Sequence, residues 1–222
     1  MSKWTISKSF NFSYGHRVYT QQLVEEFSLD TSCKCKWLHG HNADVTVYFE
    51  SDSLERGFVT DFKHANWISK FIDTFVDHKF ILSIHDPWFN NIINGTLVGP
   101  LELDNGISTG RFKSLDHLHI PTDRTHQRYV PIQPVKVPNT EVVVGHILDV
   151  NSDCAVGLTP VFLDGPEKEF YEGFFLIDFV PTSENLSKWM FDFISPKMLE
   201  IGVRVSRIEF KETPKTMASY HD

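Results

Sequence analysis

His39-Gly40-His41 opens an alternating apolar run, stands four residues after Cys35, and has His16 upstream of it. On an extended strand residues i and i+2 point to the same side, so both imidazoles can reach one ion. Gly40 between them keeps bulk off the opposite face. Ala43, Val45, Val47 and Phe49 continue the histidine parity, while Asn42, Asp44, Thr46 and Glu50 take the other, which puts the histidines on the buried face. Trp4, Ile6, Phe10, Phe12, Tyr14 and His16 also keep one parity, and this predicts a second half-buried strand that pairs with the first and brings in His16. Three neutral nitrogens with an open fourth position make a catalytic metal centre. With Cys33 or Cys35 as a fourth ligand the same histidines make a closed structural one, and spacing alone leaves both readings standing.

The elements that must hold these residues follow from periodicity and punctuation. Phe62, Ala65, Ile68, Phe71, Ile72 and Phe75 recur at three- and four-residue steps, predicting an amphipathic helix that begins at Asp61-Phe62 and packs on a sheet. Pro181-Thr182-Ser183-Glu184-Asn185 offers a capping hydroxyl and a first-turn acid. It predicts a second helix through Leu186, Trp189, Met190, Phe193 and Ile194, stopped by Pro196. Strands are expected over Val203 to Lys211 and Thr216 to Tyr220, with Pro214 marking the turn. Between the two halves, residues 86 to 173 hold eight of the eleven prolines and eight of the twelve glycines. Such density breaks helices, and apolar runs such as Glu141 to Ile147 and Phe174 to Phe179 read as strands. The chain, residues 1–222, is therefore expected to be one domain interrupted by a β-rich lobe at about 86–173. His117-x-His119 in that lobe repeats the His-x-His spacing, but Asp116, Pro121 and Asp123 around it mark a polar loop rather than a second metal site.

A formal charge of -8 without any Lys/Arg-rich run argues against nucleic acid and anionic membrane surfaces as main partners. No stretch of 18 apolar residues is present, and Met1 to Ile6 alternates without an apolar leader, so a cytoplasmic protein is expected. Three cysteines read as reduced thiols rather than a disulfide framework.

Six motifs stand in an order that points further. Phe12-Ser13-Tyr14-Gly15-His16-Arg17, Cys35-x-x-x-His39-Gly40-His41, Gly57-Phe58-Val59-Thr60-Asp61-Phe62, Asp77-His78, Pro181-Thr182-Ser183-Glu184-Asn185 and Lys211-Glu212-Thr213 follow one another as in 6-pyruvoyltetrahydropterin synthases and the related 6-carboxytetrahydropterin synthases. Over residues 4–85 and 174–221 the chain resembles that family. The resemblance implies an α+β T-fold, β-β-α-α-β-β, whose antiparallel sheet carries two helices on one face. It also implies a homo-oligomer, a hexamer, with active sites at subunit interfaces. His16, His39 and His41 then correspond to zinc ligands, which favours the catalytic reading of the triad.

The substrate implied is 7,8-dihydroneopterin triphosphate. Cys35 takes the part of the base, because a thiolate beside a zinc dication has a lowered pKa. Its spacing of four from His39 resembles the carboxy-forming, queuosine-pathway members, whereas Cys33, six before His39, has the spacing of pyruvoyl-forming ones. Asp77 and His78 correspond to the acid and imidazole that move protons with the cysteine. Glu212 corresponds to the pterin anchor, accepting from the 2-amino group and adjacent ring nitrogen, while Thr182, Ser183 and Glu184 finish that pocket. For Thr182 or Ser183 plain helix capping is an equal explanation. The expected activity is a zinc-dependent lyase giving 6-carboxy-5,6,7,8-tetrahydropterin. The alternatives are 6-pyruvoyltetrahydropterin synthesis and a zinc-stabilised module that only binds a pterin or purine. Both ends of the lobe adjoin proposed site segments, and Arg111, Lys113, Arg124 and Arg128 offer it charge for a triphosphate, so it is expected at the pocket rim or a subunit boundary.

Overall fold

In the computed structural model, which describes residues 3–89, 92, 129–136, 143–149, 155–160 and 173–221, the chain forms two compact units. The first comprises Met1–His16, Leu38–His78 and Pro181–Asp222. Its sheet is built from β1 (Trp4–His16), β2 (His39–Ser51), β8 (Arg204–Thr213) and β9 (Thr216–His221), in that spatial order and antiparallel throughout.

The parity read from the sequence fixes which face is covered. Phe10, Phe12, Tyr14 and His16 of β1 and Ala43, Val45, Val47 and Phe49 of β2 are buried, whereas Trp4 at the open end of β1 is half exposed. Register pairs Phe10 with Val45, Tyr14 with His41 and His16 with His39. A one-residue slip would turn every one of these side chains to the other face, so the apolar pattern itself holds the histidines in place.

Helix α2 (Asn66–Phe75) lays Ile68, Phe71 and Ile72 into the core, and helix α3 (Ser183–Leu199) buries Leu186, Met190, Ile194 and Met198. Phe71 meets Trp189 and Phe193 at ring distances of 6.1 and 4.9 Å, and Phe191 meets Tyr220 of β9 at 5.2 Å, so the helices touch each other and the sheet. Each buried side chain of this size contributes about 1.5–3 kcal/mol relative to exposure.

Two helix boundaries differ from expectation. The first helix starts four residues late, after a 3-10 turn over Phe62–Ala65 whose N-cap is Asp61, and Phe62 is half exposed rather than on the apolar face. Asp61 accepts from the Lys63 N–H at 2.8 Å, and that local bond shapes the tight turn. The second helix runs through Pro196 to Leu199. A proline there forfeits one backbone hydrogen bond, but the burial of Lys197 and Met198 continues the packed face beyond it.

The second unit comprises Arg17–Trp37 and Lys79–Val180. Its strands are β3 (Lys79–Ser83), β4 (Tyr129–Lys136), β5 (Val143–Asp149), β6 (Ala155–Pro160) and β7 (Phe174–Ile177), in the spatial order β4-β5-β6-β7-β3. β3 and β7 run parallel, with Phe80 opposite Phe174, and both are continuous apolar strands with Ile81, Leu82, Phe175 and Leu176 buried. The other pairings are antiparallel. Arg17 reaches the buried Asp86 carboxylate at 3.0 Å, and Asp86 also accepts from the Trp88 N–H. A short helix, α1 (Glu25–Ser28), and a 3-10 turn at Lys34–Lys36 also belong to this unit. Arg111, Lys113, His117, His119, Arg124 and Arg128 lie outside the described residues. Among the described residues no helix is long and apolar enough to cross a membrane.

Candidate metal centre

The paired ends of β1 and β2 bring three imidazoles together. One donor nitrogen from each of His16, His39 and His41 lies within 4.8 Å of the others. His16 Nε2 and His39 Nε2 are 3.1 Å apart, and the three rings sit at 4.5 to 5.2 Å from one another. Close approach of the strands makes this possible. Gly40 lies opposite Gly15, and a Cβ at Gly40 would stand 3.1 Å from the Tyr14 carbonyl oxygen.

His16 is the best fixed of the three. It is 1% exposed, and its Nδ1–H donates to the Pro181 carbonyl at 2.7 Å, at the entry to α3. A carbonyl accepts only, so this bond leaves the lone pair on Nε2, facing the cluster. Burial lowers the His16 pKa from 6.5 to about 4, and burial also lowers that of His41. Neutral imidazole is the ligand form. His41 Nε2 is buried and has no hydrogen-bond partner among the described residues. A buried ring nitrogen without a hydrogen bond, facing two further imidazoles, suits a cation, so the residues fit a bound metal such as zinc.

Glu212 extends from β8 into the same place. Its Oε1 lies 3.3 Å from His16 Nε2 and 3.7 Å from His41 Nε2, and accepts a hydrogen bond from the Tyr14 hydroxyl at 3.1 Å. The pairing of β8 with β9 is irregular between Phe210 and Thr213, the stretch that contains Glu212. Burial, then the Glu212 carboxylate, push the Tyr14 phenol far above its usual range, so it remains a donor.

Asp77 and His78 are anchored to the same strand as His16. Asp77 Oδ1 accepts from the Ser13 N–H at 2.8 Å, His78 N–H donates to the Ser13 carbonyl at 2.7 Å, and Asp77 Oδ2 lies 2.8 Å from His78 Nδ1. Desolvation opposes ionisation of Asp77, but the Ser13 N–H and the His78 imidazole outweigh it and hold the carboxyl below its usual value. His78 has a left-handed backbone, φ 58°, and an exposed side chain. A strained non-glycine residue of this kind is characteristic of functional sites.

Thr182 caps α3, its hydroxyl accepting from the Asn185 N–H at 3.2 Å, with Ser183 and Glu184 in the first turn. Cys35 belongs to the second unit, where the Cys33 sulfur accepts from the Cys35 N–H and the Cys35 carbonyl accepts from Val18. Neither Cys33 nor Cys35 is in a disulfide, and both are partly exposed. The first unit thus gathers His16, His39, His41 and Glu212, fixes Asp77-His78 to β1, and joins the start of α3 to His16. Tyr14 and the Pro181 carbonyl were missed in the sequence. Tyr14 shares the parity of His16, which is visible, but its partner is 198 residues away.

A model of the family described as 6-pyruvoyl tetrahydropterin synthase matches residues 5–222, and the chain belongs to that family. Its fold is the T-fold. A 6-carboxy-5,6,7,8-tetrahydropterin synthase from Aquifex aeolicus is 39% identical over 93 residues, a match spanning 39% of this chain and 57% of that one. An uncharacterized protein of known structure from Wolinella succinogenes is 32% identical, with a TM-score of 0.68 over 100% of this chain and 99% of that chain.

Proposed function

We propose that the chain is a zinc-dependent 6-carboxy-5,6,7,8-tetrahydropterin synthase acting on 7,8-dihydroneopterin triphosphate, a lyase that releases triphosphate and cleaves the side chain. The observation that carries this reading is the convergence of His16, His39 and His41 on one point. Support for the carboxy product comes from the name of the Aquifex relative and from the four-residue spacing of Cys35 and His39. Zinc, when bound, supplies a Lewis acid that polarises the hydroxyls of the pterin side chain.

The chain's own residues supply the rest. Cys35 as thiolate takes a side-chain proton, and His78, held by Asp77, returns one to the pterin. Glu212 accepts from the 2-amino group and the neighbouring ring N–H, with Thr182, Ser183 and Glu184 beside it. β9 stands at the end of the first unit's strand order, an edge suited to pairing with a second copy, in keeping with a cytoplasmic homohexamer. Mass spectrometry of products from zinc-loaded protein given the triphosphate tests the reading. The carboxy product supports it, the pyruvoyl product replaces it with the sister activity, and unchanged substrate replaces it with a binding module.

A further inference from the structure

Two sulfurs stand two positions apart in the second unit, on a backbone tied down by hydrogen bonds. The Lys36 N–H donates to the Cys33 carbonyl at 3.2 Å, the Trp37 N–H to the Lys34 carbonyl at 2.9 Å, and the Val18 N–H to the Cys35 carbonyl at 2.7 Å. The separation of the two Cα atoms depends only on φ and ψ of the residue between them, Lys34, and its place in the 3-10 turn sets that separation at about 5–5.5 Å. A disulfide bridges Cα atoms about 4.4–6.8 Å apart, so the pair can close by side-chain rotation alone. Cys33 already points the right way. Its sulfur accepts from the Cys35 N–H at 3.4 Å, and both residues are partly exposed, within reach of a small oxidant.

We propose that Cys33 is the resolving thiol of Cys35, and that a hydroperoxide converts the pair into a reversible Cys33–Cys35 disulfide. With hydrogen peroxide, the Cys35 thiolate attacks one oxygen, an S–O bond forms as the O–O bond breaks, and the other oxygen leaves as water after taking a proton. The Cys33 sulfur then attacks the Cys35 sulfenic sulfur. The S–S bond forms, the S–O bond breaks, and the departing hydroxide takes the Cys33 proton as a second water. Two electrons pass from the sulfur pair to the peroxide, and two equivalents of a small thiol such as glutathione return them. Without a resolving partner a sulfenic acid goes on to sulfinic acid, which small thiols do not reverse, so Cys33 preserves Cys35 while switching it off. Loss of turnover in the disulfide rests on the reading of Cys35 as the base. Formation of the disulfide does not.

Zinc-loaded protein is treated with hydrogen peroxide, alkylated with iodoacetamide, and cut at glutamate without reduction, so that Cys33 and Cys35 stay together in the peptide of residues 27–50. In wild type that peptide should carry no alkyl group and weigh two hydrogens less than the reduced form. After dithiothreitol both cysteines should alkylate. The oxidised protein should keep its zinc, lose on the order of 10²–10⁴-fold in kcat as Cys35→Ala does, and recover with dithiothreitol. Cys33→Ser keeps an acceptor for the Cys35 N–H but removes the resolving sulfur. It should retain most activity before oxidation, and peroxide should then leave Cys35 two oxygens heavier, beyond rescue by dithiothreitol. The peptide mass is read whether or not the pterin is turned over, so this proposal and the proposed activity can fail separately. The proposal is overturned if both wild-type thiols still alkylate, if Cys35 reaches the sulfinate as readily as in Cys33→Ser, or if its disulfide joins Cys154 or a second copy instead. A Cys33–Cys35 disulfide that leaves kcat unchanged would overturn the switch and remove Cys35 as the base.

Discussion

Two residues of one type, two positions apart, carry the sharpest question at the scale of single side chains. Cys33 and Cys35 share a loop, and the Cys33 sulfur accepts from the Cys35 N–H at 3.4 Å. That bond ties Cys33 to shaping the Lys34–Lys36 turn, in keeping with Cys35 as the base. Cys35→Ala should therefore retain metal and lose on the order of 10²–10⁴-fold in kcat. Cys33→Ala should be far milder. Steady-state kinetics with parallel metal analysis decides the matter, and a reversal of the two phenotypes would transfer the base to Cys33 and favour the pyruvoyl-forming activity.

At the scale of elements, the strands were legible because burial and sequence share a period. Parity in Phe10 to His16 and His39 to Phe49 predicted both the buried face and the meeting of the histidines. Long-range polar contacts were not legible, since nothing local in Tyr14 or His16 announces Glu212 or the Pro181 carbonyl. Helix ends were misread where local rules lost to packing, at Pro196, or to a side-chain turn, at Asp61. Gly40→Ala probes the strand pair directly. Its Cβ would meet backbone at 3.1 Å, which flexible side chains cannot relieve, so about 1–3 kcal/mol of stability should be lost together with metal affinity. An unchanged urea midpoint would mean that the strands part easily there. Thr182→Ala should cost about 1 kcal/mol through the lost cap, and Thr182→Ser should restore it. If serine restores stability but leaves the Michaelis constant raised, Thr182 also contacts substrate.

For the molecule as a whole, the site and the stability of the fold are linked through protons. His16 has an ordinary pKa of 6.5 that falls to about 4 in the fold, chiefly by burial. Between those values the unfolded chain takes up a proton that the native chain refuses. Native stability is therefore full above pH 6.5, declines as pH falls, and has lost the whole contribution, at most about 3 kcal/mol, below about 4. His41 is shifted in the same direction and adds to the loss. Asp77, held below its ordinary 3.8, continues it at lower pH, since the unfolded carboxyl protonates first. Metal bound to neutral imidazoles stabilises the native state by mass action and is itself displaced by acid. Metal-free protein should accordingly show a urea midpoint that slides downward from pH 6.5 to 4, while loaded protein should hold its midpoint further into acid and then drop steeply as the ion is released. A metal-free midpoint that stays flat across this range would mean that His16 titrates as an ordinary exposed imidazole, and with that the buried, Pro181-bonded geometry of the triad would fall.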